Sequence, residues 1–541
     1  MRDFYKFIRS ESQEFRWQLV FMAVLAGLIN GYVIAVAIGT AKKLQPGVIN
    51  FQEFLMFVFC MVTFWFTKEL VLNRTTSIVE GIVRDVRVRI MRKIRRTPLL
   101  VFEKMDRGRI FSTLSSDAIS ISVSAGAIIN AMSAVIMLVF VIAYIGVLSL
   151  PALVITAVFI LGAIVFYLRK SRTVAAEMRE AAVRENEFFD NLNGLLNGFK
   201  EFKLNREKAD DFFGEELFNL VSSTAALRLK AGKAMNQAVL IGQTFLFVTV
   251  GGVLFLLPNL TPGDIGSVVP VIAVVLFAAG PIGDVVVAIP ALEKAKASIE
   301  NIRRLEAEVD SKQSDVEVLA MEADVRPESF SSLALENVSF QYPKNGTRPF
   351  ALQPFSFELK RGEIVFVVGG NGSGKSTFLK LLTGLYSPAQ GGRSLNGSPV
   401  TDGTLGVYRD LFGPIFSDFY LSPRLLAAHK HDPAIVEKLL QRMELTGITD
   451  LKDGRITNLN LSTGQKKRLA LILACLDDKA VYVFDEWAAD QDPVFRRFFY
   501  ETLLGEMKAQ GKAIVAATHD DHYFHVADRV LKMEYGQFVA A

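Results

Sequence analysis

A glycine-rich segment in the second half of the chain has the residue types and spacing that bind phosphate groups. It comprises Gly369, Gly370, Asn371, Gly372, Ser373, Gly374, Lys375, Ser376 and Thr377. It lies between the apolar run Ile364–Val368 and the helical run Thr377–Leu385, the context expected of a phosphate-binding loop. Its glycines let backbone N–H groups face the phosphates, and the following helix adds a favourable dipole. We expect Lys375 to reach the β- and γ-phosphates of ATP, and the Ser376 hydroxyl to bind Mg²⁺.

Two acidic residues follow a second apolar run and complete this chemistry. Val481–Phe484 predicts a buried strand, and Asp485 and Glu486 come directly after it. Because ligands of α/β domains bind at the carboxyl ends of the strands, both carboxylates are expected beside the phosphates. Asp485 is the candidate for holding the water shell of Mg²⁺. Glu486 is the candidate general base that polarises the attacking water.

The elements that must position these residues form an α/β domain. The strand-like runs Ile364–Val368, Val481–Phe484 and Ala513–Ala517 alternate with helical ones, which predicts a mainly parallel sheet. We place this domain at residues 333–541. The acidic stretch before it, residues 305–332, lacks an apolar period and is interpreted as a linker.

The first 304 residues have a different composition and predict an all-α membrane domain. The whole chain is 51 % hydrophobic and 21 % charged, with a mean hydropathy of +0.31, and its apolar residues concentrate in this half. About 20 apolar residues in a helix cross a bilayer. Six such spans are expected, at Trp17–Thr40, Phe51–Phe66 with the next few residues, Ile119–Leu150, Pro151–Leu168, Gln237–Leu257 and Asp264–Val287.

Loop charges predict the orientation of these spans. The loop from Val71 to Ile119 carries eleven Lys and Arg, and Arg169–Asn236 carries twelve. By the positive-inside rule both long loops and both termini are expected in the cytoplasm. We expect the spans to continue as helices below the membrane. Thr97–Asp117 is then either part of a solvated hairpin or a tip that touches a cytoplasmic partner.

Composition excludes several other classes of protein. With 42 phenylalanines in 541 residues, the chain is too aromatic to be disordered. Its two cysteines, Cys60 and Cys475, exclude a disulfide framework. A net charge of +4 is too slight to indicate a nucleic-acid partner.

A short motif 20 residues before Asp485 resembles the signature of the ATP-binding-cassette (ABC) transporters. It consists of Leu461, Ser462, Thr463, Gly464 and Gln465, close to the family's LSGGQ, and we expect it to open a helix at Lys466. Ala488-Ala489-Asp490 resembles the family's loop after the catalytic glutamate. The resemblance implies that His519 contacts the γ-phosphate and that Tyr342 stacks on adenine. It also implies that Ser462, Thr463, Gly464 and Gln465 contact ATP held by a second chain.

The order of the two halves, six spans before one cassette, is similar to that of an exporter half-transporter. The resemblance therefore implies a homodimer in the lipid bilayer, with ATP and Mg²⁺ as cofactors. Thr97–Asp117 and Gly198–Arg206 fall where that family has its coupling helix and second intracellular loop. One departure concerns the metal: Ser417 stands where exporters have a glutamine that links Mg²⁺ to the membrane helices.

Two stretches, residues 461–470 and 485–493, resemble a branch of cyclic-peptide exporters of bacteria. That branch includes transporters associated with pyoverdine precursors, syringomycin-type lipopeptides and lasso microcins, and Trp487 is its most distinctive residue. The resemblance implies a cyclic or otherwise compact peptide as cargo and the bacterial inner membrane as the location.

The predicted spans leave the cargo open. Asp284, low in the sixth span, is the one acid near the expected path, and it either serves the cargo or faces the cytoplasm. Five amides could bind a peptide or only join helices: Asn30, Asn130, Asn236, Gln237 and Gln243. A lipid or hydrophobic-drug flippase of the same architecture is the first alternative. An ATP-regulated membrane sensor or channel that transports nothing is the second.

Overall fold

The computed structural model describes residues 18–42, 51–260, 265–310, 329–343, 350–424, 432–452 and 454–539. The chain divides into two compact units. The membrane unit comprises residues 1–91 and 106–307, and the cassette unit comprises residues 92–105 and 308–541. Most of the expected linker, residues 311–328, lies outside the described residues, and the helix before it continues to Asp310.

The described residues of the membrane unit are helical apart from short breaks such as those at Asp106, Ser149 and Asn205. The first helices are α1 (Gln18–Lys42), α2 (Phe51–Arg95), α3 (Leu99–Phe102), α4 (Arg107–Ser112) and α5 (Ala118–Leu148). Of these, α3 and the last residues of α2 belong to the cassette unit. The next are α6 (Leu150–Asn197), α7 (Phe199–Leu204), α8 (Arg206–Asp211), α9 (Phe218–Leu260), α10 (Val268–Phe277) and α11 (Ala279–Asp310). Single π-helical turns join α4 to α5 and α8 to α9.

The six expected apolar runs fall almost entirely on helices, with Trp17 and Asp264 outside the described residues. Among the described residues, four continuous helical stretches are long and apolar enough to cross a membrane: Phe51–Arg95, Arg107–Leu148, Arg206–Leu260 and Val268–Asp310. Two shorter apolar stretches, Val24–Thr40 and Leu150–Ala163, account for the other two runs. The 45 residues of α2 rise about 67 Å, roughly twice the thickness of a hydrocarbon core. This helix is therefore longer than a membrane span requires, as the expected continuation below the membrane would need.

Close backbone approach holds α1 against α5. A Cβ atom built on Gly31 would lie 2.4 Å from Cδ1 of Phe140, and one on Gly27 would lie 2.9 Å from the Ser133 carbonyl oxygen. Only glycine permits this contact. An apolar cluster that includes Ile34, Val141 and Val271 lies alongside it.

The cassette unit combines two main sheets. Its strands are β1 (Ser332–Gln341), β2 (Ala351–Lys360), β3 (Ile364–Val368), β4 (Gln390–Leu395), β5 (Ser398–Pro399), β6 (Phe412–Ile415), β7 (Leu451–Lys452), β8 (Arg455–Ile456), β9 (Val481–Asp485), β10 (Ala513–Ala517), β11 (Arg529–Glu534) and β12 (Gln537–Val539). Its further helices are α12 (Lys375–Leu382), α13 (Leu405–Asp410), α14 (Pro433–Arg442), α15 (Thr463–Leu476), α16 (Pro493–Arg497) and α17 (Leu504–Ala509).

The larger sheet has the order β12-β11-β3-β10-β9-β6 and is parallel except for β12. The smaller sheet, in the order β2-β1-β4-β5, is antiparallel. Strands β9 and β10 are buried along their whole length, which explains their uninterrupted apolar sequences. Because β3, β10 and β9 are neighbours and run in parallel, the residues that follow them meet at one edge of the sheet. The predicted α/β fold with a mainly parallel sheet is confirmed.

Candidate active site in the cassette

The glycine-rich loop connects β3 to α12, which begins at Lys375, two residues before the predicted start. Three of its glycines have backbone conformations that L-residues rarely adopt: φ is +154° at Gly369, +76° at Gly372 and +113° at Gly374. A Cβ atom on Gly369 would lie 2.2 Å from the carbonyl oxygen of Met533. The loop therefore depends on glycine both for its conformation and for its close contact with β11.

Lys375 is buried, and its ammonium group lies at the centre of the site. Nζ donates to the carbonyl oxygens of Gly369 at 2.9 Å and Gly370 at 3.3 Å. It also lies 3.0 Å from Nε2 of His519 and 3.5 Å from Oε1 of Glu486. The structure therefore brings the predicted phosphate-binding lysine together with two of the other predicted residues.

Asp485 ends β9 and faces two hydroxyl groups. The Ser376 hydroxyl donates to Oδ1 across 3.2 Å, and the Ser417 hydroxyl lies 3.5 Å from Oδ2. Burial raises the pKa of Asp485, and the charge of Glu486 adds to this rise, while the bond from Ser376 opposes it. Ser417, the residue at the position of the usual glutamine, thus lies beside the predicted metal-binding carboxylate.

Glu486 follows Asp485 in a left-handed backbone conformation, with a φ of +50°. Such a conformation costs a non-glycine residue about 1–3 kcal/mol and persists where the surrounding contacts enforce it. The Glu486 amide donates to the Ala517 carbonyl at 3.1 Å. Its carboxylate lies 3.1 Å from Nε2 of His519, the residue that follows β10 and Thr518. The surrounding contacts therefore hold this strained residue with its carboxylate beside both His519 and Lys375.

Tyr342 lies just after β1 and is half-buried. Its hydroxyl group is 3.2 Å from that of Thr377, the last residue of the phosphate-binding segment. Its ring makes edge contacts with Phe340 at 5.0 Å and Tyr386 at 6.0 Å between centroids. The expected adenine-stacking residue thus adjoins the phosphate-binding loop.

The signature motif caps α15. Ser462 is the N-cap residue: its hydroxyl accepts from the Gln465 amide at 3.3 Å, while Oε1 of Gln465 accepts from the Ser462 amide at 3.0 Å. This reciprocal pair starts the helix at Thr463, so the predicted start at Lys466 is wrong by one turn. Ser462 and Thr463 are exposed at the helix N-terminus, where backbone N–H groups favour an anion.

The residue that follows α3 forms a contact that the sequence analysis missed. Glu103 follows α3, and its carboxylate accepts from Nζ of Lys380 at 2.7 Å and from the hydroxyl of Tyr386 at 2.6 Å. Burial, and then the bond to Glu103, raise the pKa of Tyr386 well above its usual range, so its hydroxyl stays a donor. The sequence left open whether Thr97–Asp117 is part of a solvated hairpin or a contact tip, because partners 277 and 283 positions away leave no local signal.

The predicted residues of the membrane unit do not form one cluster. Asp284 is exposed on α11. Asn130 accepts from Nζ of Lys68 at 3.0 Å, and Nδ2 of Asn30 lies 2.9 Å from the Met137 sulfur. These two amides therefore join neighbouring helices within the membrane unit.

Comparison with known proteins places this geometry in a family. Residues 352–489 match the pattern of the ABC transporter family, and residues 19–199 match that of the ABC transporter transmembrane region. The chain is 32 % identical over 538 residues to ATP-binding protein SyrD of Pseudomonas syringae pv. syringae, covering 96 % of this chain and 94 % of that protein.

The chain is an ABC transporter.

Two further comparisons place this transporter within the family. It is 32 % identical over 224 residues to an ATP-dependent lipid A-core flippase of Ralstonia nicotianae, covering 39 % of this chain and 37 % of the flippase. A solved structure of a bacterial Atm1-family ABC exporter with ATP bound has the same fold, with a TM-score of 0.71 at 17 % identity. That likeness covers 96 % of this chain and 93 % of the other. The transporter thus has the exporter-type architecture, one membrane domain followed by one cassette, and its cassette is an ATPase coupled to transport.

Proposed function

We propose that two copies of this transporter export a cyclic or otherwise compact peptide across the bacterial inner membrane. The observation that carries the cargo assignment is the resemblance of residues 461–470 and 485–493 to the cyclic-peptide exporter branch. The likeness to SyrD over nearly the whole length of both chains supports it. Both termini and the cassette are placed in the cytoplasm on the basis of the loop charges.

In the proposed mechanism Tyr342 stacks on adenine and Lys375 binds the β- and γ-phosphates. The Ser376 hydroxyl and the Asp485 carboxylate are hard oxygen donors on one side of the loop, and they fit Mg²⁺ completed by phosphate oxygens and water. Among the described residues no three His, Cys, Asp or Glu side chains converge to hold a metal alone. When bound, the ion would neutralise charge that develops on the phosphates.

Glu486 is proposed as the general base. Its carboxylate accepts a proton from water as the water oxygen bonds to the γ-phosphorus and the bond to the ADP oxygen breaks. His519, within 3.1 Å, orients this carboxylate and contacts the γ-phosphate. Ser462, Thr463, Gly464 and Gln465 of one copy are proposed to complete the nucleotide site of the other, with the helix dipole of α15 directed at the phosphates.

Glu103 is proposed to carry cassette movement to the membrane helices. It bonds Lys380 on α12, the helix that begins the phosphate-binding site, and Tyr386, whose ring adjoins Tyr342. Because α3 lies just beyond α2, a shift of α12 on ATP binding would pull on the end of a long membrane helix.

A lipid or hydrophobic-drug flippase is the second candidate. The 32 % identity to a lipid A-core flippase over 39 % of this chain favours it, and the proposed ATPase mechanism is the same for both cargoes. The two candidates differ only in what stimulates turnover.

The test is ATPase activity of the purified protein in lipid nanodiscs, with Glu486→Gln as the blank. Cyclic peptides, their linear counterparts and lipids are titrated in parallel. We expect stimulation by cyclic members of the panel above that of the linear ones. A flat response to peptides with a clear response to lipids would replace the export proposal by the flippase.

A further inference from the structure

A buried lysine links the signature helix to the loop that follows Glu486 in the same chain. Lys467 lies on α15, with only 4 % of its surface exposed. Its Nζ donates to the carbonyl oxygen of Glu486 at 2.7 Å and pairs with Oδ2 of Asp490 at 2.6 Å. One ammonium group therefore holds both ends of the turn Glu486–Asp490.

Trp487, in the loop, forms a second hydrogen bond to the signature helix. Its indole Nε1 donates to the carbonyl oxygen of Lys467 at 2.9 Å, and its ring stacks on Phe499 at 4.3 Å between centroids. The side chain is 1 % exposed. Lys467 thus donates to the backbone of the loop, and the loop donates to the backbone of Lys467.

The start of the signature helix touches the same loop. A Cβ atom on Gly464 would lie 2.7 Å from the Asp490 carbonyl oxygen, so this glycine allows close approach. Gln491 donates from Nε2 to the Gly464 carbonyl at 3.2 Å and accepts from Nε of Arg468 at 2.9 Å. These contacts make the first two turns of α15 and the loop 486–491 one connected structure.

This connection matters because Glu486 is held in a strained, left-handed conformation. Its carbonyl oxygen is the one that Lys467 binds, and its carboxylate lies beside His519. Without its ammonium partner this carbonyl would keep only the longer bond from the Ala489 amide, at 3.4 Å, and the carboxylate on the same residue would be held less firmly. Displacement of a reacting group by about 1 Å costs on the order of 100-fold in rate.

We propose that Lys467 and Trp487 are positioning residues that fix the Glu486 carboxylate for attack on ATP bound to their own chain. This inference rests on the proposed role of Glu486 and on the proposed homodimer. The signature helix then has two roles. Its N-terminus completes the nucleotide site of the partner, and Lys467, together with Trp487 of the neighbouring loop, positions the general base of its own chain.

Three single variants of the full chain in nanodiscs test the positioning role. Lys467→Met removes the ammonium group, Trp487→Phe removes only the indole donor, and Lys466→Met is the control on the exposed face of the same helix. We expect kcat to fall about 10- to 100-fold in Lys467→Met and about fivefold in Trp487→Phe, with little change in the control. ATP affinity, measured in a Glu486→Gln background, is expected to change less than twofold.

Mixed dimers, purified through two different tags, then separate the two duties of the helix. In each, one chain carries Glu486→Gln, so that one general base is left. Lys467→Met is placed either in the chain with the intact Glu486 or in the other chain. We expect turnover to be several-fold lower in the first arrangement than in the second.

Three outcomes would overturn the inference. They are a kcat for Lys467→Met within twofold of wild type, a parallel loss of ATP affinity, and lower turnover in the second mixed dimer than in the first. If Lys467→Met does not fold, the kcat and affinity of Trp487→Phe decide in the same way. Two tagged chains that never purify together would contradict the homodimer instead. A peptide panel without effect would contradict only the cargo.

Discussion

The cassette and the membrane unit use polar side chains in different ways. In the cassette, five residues from three segments converge: Lys375, Ser376, Asp485, Glu486 and His519. In the membrane unit, polar contacts such as Lys68 with Asn130, and Asp117 with Ser298 and Asn301 at 2.8 and 3.2 Å, involve two or three residues. The cassette therefore contains a site within one chain, whereas the described polar residues of the membrane unit fasten helices.

This difference explains why the reaction is easier to assign than the cargo. Hydrolysis of a phosphate bond requires particular groups at particular distances, and the edge of a parallel sheet supplies them. A cavity for a large amphipathic cargo requires mostly shape and apolar surface, which many sequences provide. Variants in the two units should accordingly differ in the size of their effects.

The largest effect is expected from Glu486, the proposed general base. Glu486→Gln keeps the size of the side chain but cannot accept the proton, so kcat should fall about 100- to 1,000-fold while ATP still binds. Steady-state ATPase and nucleotide-binding assays measure both quantities. Glu437→Gln, an exposed substitution on α14, is the control. Near-normal turnover of Glu486→Gln would remove the sharpest contrast between the two units.

The phosphate-binding lysine should have the next largest effect. Lys375→Ala removes charged hydrogen bonds to two phosphates, each worth about 1.5–3 kcal/mol, so ATP affinity should fall about 100-fold or more. Equilibrium binding of a fluorescent ATP analogue measures this loss, with the exposed Lys438→Ala as the control. Unchanged affinity would contradict the assignment of the loop.

An intermediate effect is expected at the contact between α3 and the rest of the cassette unit. Glu103→Gln weakens a charged pair in which both side chains are less than one-third exposed, and Tyr386→Phe removes a single hydroxyl. Stimulation of ATPase by cargo should fall about five- to tenfold in the first and two- to threefold in the second. Basal turnover should fall less than stimulation does. Equal loss of both would indicate a purely structural contact.

The smallest effect is expected in the membrane unit. Asp284 is exposed on α11, and Asp284→Asn keeps its size while removing its charge. On the interpretation that Asp284 faces the cytoplasm, basal and cargo-stimulated ATPase should each change less than about twofold, since a solvated carboxylate interacts weakly. A tenfold loss of stimulation would instead place this acid in the cargo path. Substitutions in the membrane unit would then have effects as large as some in the cassette.

The sequence predicts the cassette well because the residues of the candidate site come directly after buried strands. The runs at β3, β9 and β10 are continuous and apolar, and the residues after them are polar, so both the elements and the site could be located from local pattern. The start of α15 was misplaced because the cap formed by Ser462 and Gln465 begins the helix one turn earlier.

Contacts between distant residues could not be predicted in this way. Glu103 meets Lys380 across 277 positions; its segment resembles the family's coupling helix, but nothing in the sequence identifies Lys380 as the partner. Lys467 could be seen only as one of several basic residues after the signature, because burial of its ammonium group depends on the fold of the loop after β9. Trp487 is distinctive in the sequence, but its bond to the Lys467 carbonyl is visible only in three dimensions.

The most direct test of the account is ATP-dependent uptake of a cyclic peptide into inside-out membrane vesicles that contain the protein. The peptide panel that stimulates ATPase supplies the probe, with Glu486→Gln vesicles as the blank. We expect uptake that needs ATP, is absent from the blank and is greater for the cyclic peptide than for its linear counterpart. Active ATP hydrolysis without peptide uptake, together with ATP-dependent movement of lipid between leaflets, would contradict the export of peptides.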